Sequence, residues 1–529
     1  MKKLLALFVM AIGACGMMMA AWVPDDYASI KLDKEGADGQ VQMKTLRTDE
    51  GKIILTWLRG ERKDYFAYEL HLQVFDEDGN AMFGDEGIIV SDKPTRSWNT
   101  DYGLALAPNG DIIMAYTDIR NDTEYEEETE VYLYRYSQDG EPVWDPDGVL
   151  FPSWNANPNT FSAEDENPAV CVSGDNIYAA IVRNEYFGGM QSVWEMVRFN
   201  DDGTVNPNFK KTLNCRVLTM NAAPDGYVYC VYNNSNRGYD ADMLDEDLIS
   251  VWGEPVTIES RPISNGYYYP TPLTAVNEDD VLMLSYRVLT DFYGFQVVNY
   301  VDPDGNFAAE AISCNNSIDG NAGSAQMGVK ENRAMVAWEW AYSSSANYIN
   351  VNVIDDYDNF FWTGDLEYGL SLEMNSDWGF TPVKVIPVYD GWVVLYGNST
   401  SWNGANFMVT MIDEAGLVVW TKQICEDNFK SSGFSVVYDE NNAYIFYTQE
   451  TQYDDNWNEI PGSSGMYVMC VDIKGEQPST SIDEVKKAEV VKTEIYTLDG
   501  RQVSEMQEGV NIVRTTDADG NQTSIKVLK

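Results

Sequence analysis

GDIIMAYTD (110–118) decides how this chain is read. It leaves an Asn109-Gly110 turn, runs through four apolar residues, closes on an aromatic (Tyr116) and returns to polar sequence. The same phrase recurs as KIILTW (52–57), IYAAIV (177–182), YVYCVY (227–232), VLMLSY (281–286), AMVAW (334–338), WVVLY (392–396) and AYIFY (443–447). Its closing column is Trp57, Tyr116, Val182, Tyr232, Tyr286, Trp338, Tyr396 and Tyr447, at intervals of about 50 to 66 residues. Turn pairs that tolerate positive φ precede these runs, among them Gly174-Asp175, Asp225-Gly226, Asp390-Gly391 and Asn441-Asn442. A further strand per unit, such as YELHLQVF (68–75), VYLYRY (131–136) or FMVTMI (407–412), leads into Asp78-Gly79, Asp139-Gly140, Asp202-Gly203, Asp304-Gly305 or Gly416. Helical periodicity is essentially lacking between about residues 30 and 475.

A unit of three or four strands in about 55 residues forms one sheet, and one sheet cannot cover both its faces. An immunoglobulin-type sandwich needs about 100 residues and seven strands. Each sheet must therefore lean on its neighbours, and closing the array into a ring removes the exposed ends. The expected fold is all-β: a single β-propeller of eight blades, with seven as the alternative because the fourth unit (about 215–260) is irregular, plus a small C-terminal β tail. The last unit lacks an outer strand after GMYVMCVDI (465–473), and YASIKLD (27–33) is expected to fill that slot.

The 529 residues include 84 Asp+Glu against 35 Lys+Arg, a net charge of −49. That balance excludes phosphate-backbone binding, which needs clustered cations, and docking on an anionic membrane surface. With 33 Tyr, 19 Phe and 15 Trp the chain still has ample apolar surface to bury, so it folds. Lys2-Lys3 followed by LLALFVMAI (4–12) and small residues is a secretory signal, assigned to 1–21. A lipobox ending at Cys15 is the rival reading. No later run reaches the roughly 18 to 20 apolar residues of a membrane helix. Cys171, Cys215, Cys230, Cys314, Cys425 and Cys470 are scattered without CxxC spacing, which favours buried thiols and excludes a zinc site; His71 is the only histidine. The divisions expected are 22–475 for the propeller, 476–489 for a linker and 490–529 for the tail.

Two stretches resemble known families. FGDEGIIVSDKP (83–94), GDIIMAYTDIR (110–120) and SQDGEPVWDPDGVLF (137–151) look like blade repeats of secreted bacterial propellers, in which an apolar strand ends Trp/Tyr-x-Asp-x-Arg. The tail VVKTEIYTLDGRQVSEMQEGVNIVRTTDADGNQTSIKVLK (490–529) is similar to the C-terminal sorting signal of the bacterial type IX secretion system. This resemblance rests on Tyr496 to Val503, Gly509 to Val513 and Ser524 to Lys529. It implies passage across the outer membrane or display on the cell surface, with the type IX machinery as partner. The Ser-x-Asp-x-Gly-x-Thr-Trp boxes of sialidase propellers are missing.

Connections from second to third and from fourth to first strands share one face of the ring, and here they are the long ones: RGERKDYF (59–66), DIRNDTEYEEETE (118–130), NNSNRGYDADMLDEDL (233–248), EWAYSSSANY (339–348), GNSTSWNGAN (397–406) and TQETQYDDNWNEIPG (448–462). That face carries Trp98, Trp154, Trp340, Trp378, Trp402 and Trp457, with Tyr267 to Tyr269. Rings beside carboxylates and amides suit sugars, although Trp at a blade junction also serves as packing. The charges after the second strands (Arg59, Asp118, Arg120, Arg183, Glu185, Arg287 and Glu339) form a candidate binding ring around the central pocket, or else pair with one another structurally. Glu126-Glu127-Glu128 and Asp242 with Asp245, Glu246 and Asp247 offer Ca²⁺ ligands, but Phe75-Asp76-Glu77-Asp78-Gly79-Asn80 fails the EF-hand spacing because its Gly arrives too early, so no cofactor or metal is expected, with Ca²⁺ as the alternative. The function expected is a binding module for glycan or extracellular protein. The alternatives are a glycan hydrolase or lyase using paired carboxylates in the central pocket, and a scaffold without a small ligand.

Overall fold

The computed structural model describes residues 30–32, 40–60, 68–93, 95, 102–120, 129–153, 163–186, 190–213, 215–261, 271–289, 294–307, 311–314, 321–343, 346–355, 359–362, 369–372, 380–401, 404–429, 431–449, 460, 465–474, 490–497, 501–503, 510–517 and 522–528. The segment 1–21 expected to be a signal, with Cys15, and the expected linker 476–489 lie outside them. The chain divides into two units, Met1–Ile473 and Lys474–Lys529.

The first unit is an eight-bladed β-propeller. Its blades span 40–91, 103–150, 163–213, 217–259, 273–313, 321–372, 380–429 and 431–472, each an antiparallel meander in chain order. The fourth unit, irregular in sequence, is an ordinary four-stranded blade, which fixes the count at eight. Blades 5 and 6 are joined by a single parallel bridge, Gly294 to Asn321. In blade 6 two short strands, Asn359–Phe360 and Leu370–Leu372, share the outer position. Blade 8 takes its fourth strand from the other end of the chain: Ile30 pairs with Val468, Lys31 with Tyr467, and the Leu32 N–H donates to Met466 O at 2.9 Å. The slot expected for YASIKLD is therefore filled by its described residues. The helical content among the described residues is one 3-10 turn, Pro224–Gly226, and no helix there is long and apolar enough to cross a membrane.

The core is a ring of layers rather than a single mass. Side chains alternate along each strand, so every second strand feeds two clusters. Ile54, Leu58, Met114 and Tyr116 pack between blades 1 and 2; Ile113, Ala115, Ile177 and Ile181 between 2 and 3; Tyr178, Ala180, Cys230 and Tyr232 between 3 and 4. The pattern continues around to a large cluster spanning blades 7, 8 and 1. The whole closing column is buried. Tyr116 shows why a phenol suits it: its ring fills the junction while its hydroxyl donates to Tyr68 O of the preceding blade at 2.7 Å.

A second device links the outer parts of the blades. The aromatic residue after a third-strand turn lies over the corresponding turn of the next blade: Phe83 over Gly140, Trp144 over Gly203, Trp252 over Gly305. Indole N–H groups then donate to turn carbonyls, Trp144 to Asp201 O (2.8 Å), Trp252 to Pro303 O (2.9 Å) and Trp362 to Glu414 O (3.0 Å). Gly203 is needed there on two counts, a φ of +82° and a ring 3.1 Å from where a Cβ would sit.

The second unit is a four-stranded sheet. Val490–Thr497 pairs on one side with Gln502–Val503 and on the other with Val510–Asp517, which in turn pairs with Gln522–Leu528.

Candidate functional site

The second strands end on the face of the long connections, and the charges they deliver differ sharply in how they are used. In blade 2 the strand Ile112–Asp118 carries Asp118 into the junction with blade 1. Arg120 closes back on it, with Nε 3.0 Å from both carboxylate oxygens and Nη2 2.6 Å from Oδ2. The same guanidinium donates to Tyr134 Oη (2.7 Å) and Asp147 O (2.6 Å) and lies 3.5 Å from the centre of the Tyr132 ring. Burial raises the Asp118 pKa, an effect Arg120 opposes. All three nitrogens of Arg120 are engaged by groups of blade 2, so this pair braces the end of its own blade.

Blade 3 repeats the idea with more charge. Arg183 Nη1 reaches Asp165 at 2.9 Å and its Nε reaches Glu185 at 3.1 Å. Asp165 is 2 % exposed, Glu185 5 %, and Glu195 on the third strand is fully buried. Asp165 also clamps the end of the long blade 2 connection: its N–H donates to Thr129 O and its carbonyl accepts from Thr129 Oγ1, both at 3.0 Å. Burial, reinforced by Glu195 and Glu130 against the pull of Arg183, pushes the Asp165 pKa up to about 7. In blade 4 Arg261 holds Glu259 at 2.7 Å; burial works to raise the Glu259 pKa, but this pair outweighs it and the net shift is downward. Arg59, at the end of the blade 1 strand, is 3.6 Å from the exposed Glu86.

Blades 5 and 6 are different. Arg287, on Leu282–Leu289, makes no ion pair among the described residues, and its Nε is buried without a hydrogen-bond partner. Burial lowers its pKa, and Glu339 on the neighbouring blade acts on it from beyond ion-pair reach. Glu339, on Arg333–Ser343, has its pKa raised by burial; it accepts from the Ser324 N–H and feels Arg287 at a distance. Ser324 lies in a bulge of the inner strand, where the register slips between Ala322 and Ala325.

Of the aromatic candidates, Trp340 is 5 % exposed and packs with Trp338 and Met283 in the core between blades 5 and 6. Trp98, Trp154, Trp378, Trp402, Trp457 and Tyr267 to Tyr269 lie outside the described residues, as do Glu126 to Glu128. His71 is buried in the third strand of blade 1, stacked on Trp57 at 5.1 Å, with Nε2 3.2 Å from Glu69. Among the described residues no group of three His, Cys, Asp or Glu side chains is arranged to hold a metal. Cys171, Cys215, Cys230, Cys314 and Cys470 are free thiols. Sequence reasoning missed Asp165 and Glu195; the acidic stretch Glu164-Asp165-Glu166 was the one available signal, and it reads equally as solvated surface.

No family model matches the chain, and no curated protein matches it. Solved structures similar to it include a protein of unknown function from Dyadobacter fermentans (10 % identity, covering 84 % of this chain and 98 % of that one, TM-score 0.40). An ulvan lyase described as a new family of polysaccharide lyase gives 8 % identity over 85 % of this chain and 97 % of its own, TM-score 0.43. Trypanosoma rangeli sialidase in complex with the inhibitor DANA gives 10 % identity over 85 % of this chain and 58 % of its own, TM-score 0.28.

Proposed function

We propose that this is an exported glycan-binding propeller, carried out of the cell through its 490–529 tail by the type IX route and holding its ligand on the long-connection face. The observation that supports the reading most is the sorting of charge there. Asp118, Asp165, Glu185 and Glu259 are tied to arginines of their own blades, whereas Arg287 and Glu339 make no ion pair among the described residues. A cation and a carboxylate at adjacent blades, neither in an ion pair among the described residues, suit the hydroxyls and substituents of a sugar, which demand both donors and acceptors. A glycosidase needs two carboxylates that reach the scissile bond. Asp165 and Glu185 instead share one guanidinium and are almost wholly buried, an arrangement that serves the blade junction and favours binding over cleavage.

The test is a glycan array probed with the mature chain, with hydrolysis and elimination products followed in parallel. Binding without product is the expected outcome. Product release on any glycan would replace this reading with the enzymatic one, and silence in both arms would move it to a protein ligand. Removal of 490–529 is expected to leave the chain in the periplasm; continued export would refute the sorting role of the tail.

A further inference from the structure

We infer that Arg287 is the point on this face that receives an acidic group of the ligand, a carboxylate or a sulfate ester, so that the glycan bound is an anionic one. This deepens the proposed function and rests on it. The chain carries 84 acidic residues against 35 basic ones, and other arginines on this face show what such a surplus does: Arg120, Arg183 and Arg261 are each in contact with a carboxylate at 3.1 Å or less, and Arg59 lies 3.6 Å from Glu86. Leaving a half-buried guanidinium without one is unfavourable, because burial strips its hydration and nothing replaces it.

The surroundings of Arg287 are built for it. Along its strand Leu282, Leu284, Tyr286 and Val288 pack toward blade 4 and Met283 toward blade 6, so alternation puts Arg287 on the blade 6 side. It lies against buried Gly294, where a Cβ would come within 2.4 Å of Nε, so any larger residue there would displace the guanidinium. Gly294 is also the residue that bridges to Asn321 of blade 6, which fixes this contact to the junction. Glu339 adds negative potential nearby without engaging the fork, being held by the Ser324 N–H. A guanidinium fork matches a carboxylate or sulfate in two parallel hydrogen bonds, which an uncharged hydroxyl does not offer. The overall charge of −49 opposes such a ligand at long range, but salt screens that field over about 8 Å at physiological ionic strength, and the contact is decided by groups closer than that.

The experiment titrates the mature chain and its Arg287→Gln, Arg287→Lys and Glu339→Gln variants with polygalacturonate (carboxylate), dextran sulfate (sulfate) and uncharged dextran, and records thermal melts without ligand. The parent chain is expected to bind at least one of the two polyanions and to prefer it to dextran; which one names the source of the charge. Arg287→Gln is expected to weaken that binding by about tenfold or more, the usual worth of a hydrogen bond to a charged group, and Arg287→Lys by less. Glu339→Gln, by removing a like charge, is expected to tighten it. Without ligand, Arg287→Gln should melt at or above the parent temperature, since an unpaired half-buried charge has been removed. A lower melting temperature would assign Arg287 a structural role and overturn the inference, as would polyanion binding indifferent to Arg287→Gln. Binding of dextran in preference to both polyanions would overturn it while leaving the glycan reading intact. No binding to any of the three, together with a silent glycan array, would remove both.

Discussion

Replacing Asp165 with Asn isolates the proton held at the junction of blades 2 and 3. Four charged groups face Asp165: Arg183 and Glu185 from its neighbouring strand, Glu195 from the third strand, and Glu130 from blade 2. Burial, with Glu195 and Glu130 adding to it against the pull of Arg183, leaves Asp165 protonated up to about pH 7, against a usual value of 3.8. Between those two values the unfolded chain has released a proton that the folded chain retains, so stability falls as pH rises through this window and is level above it. The full effect is the roughly three-unit difference times about 1.4 kcal/mol per unit, or about 4 kcal/mol. Asn resembles the protonated acid in shape and cannot ionise, so Asp165→Asn lacks this loss. Urea unfolding of both chains from pH 4 to pH 8 gives the difference directly: the variant is expected to gain on the parent by up to about 1.4 kcal/mol per pH unit, most of it before pH 7. Glu195→Gln removes a charge that raises the Asp165 pKa and should narrow the window. A difference between parent and Asp165→Asn that stays constant across this range would refute the account of the junction.

Trp144→Ala removes the ring between blades 2 and 3 together with its bond to Asp201 O, and should cost about 3–5 kcal/mol in the urea midpoint analysis; a loss under about 1 kcal/mol would mean that the ring does not hold the two blades. Gly203→Ala places a Cβ 3.1 Å from that ring at a φ of +82°, and is expected to destabilise by about 1–3 kcal/mol. In the Trp144→Ala background only the backbone part of that loss should persist, and strict additivity would contradict the contact. Deleting the chain through Leu32 strips blade 8 of its outer strand, so limited proteolysis should find new cleavage within 465–472 and the melting temperature should fall; an unchanged digest would show that the ring does not depend on this closure.

The propeller was legible because its cause is local and repeated. Eight apolar runs, seven of them ending in an aromatic residue and the third in Val182, each declare a small sheet, and a small sheet has no way to bury both faces alone, so the closed ring follows from sequence periodicity. The closing strand was legible for the same reason: a last unit short of one strand and a leftover alternating segment at the other end of the chain. The irregular fourth unit was the exception. Its alternation is weakened by Asp240 and Asp242, and buried Asp242 is accommodated by Ser250, which donates to it at 2.6 Å, by the Met243 N–H and by the charge of Lys211 from the neighbouring blade, none of which strand patterning reveals.

The candidate ring divided along a line that sequence could not draw. Arg120 and Arg287 both follow an aromatic-terminated second strand and read alike, yet Arg120 sits two residues beyond its acid and closes on it, while Arg287 is turned over Gly294 toward a neighbouring blade. Asp165 and Glu195 were invisible as a cluster, since they come from different strands and meet Glu130 across a blade junction. The sequence by itself determined that small sheets form and that they must close on one another, because alternation and turn chemistry act over a few residues; the structure decided between seven and eight. Which charges neutralise one another was decided only by the tertiary structure, because an ion pair depends on how side chains of separate strands are brought together, as when Arg183 meets Asp165 across a strand pair, and not on residue type along the chain.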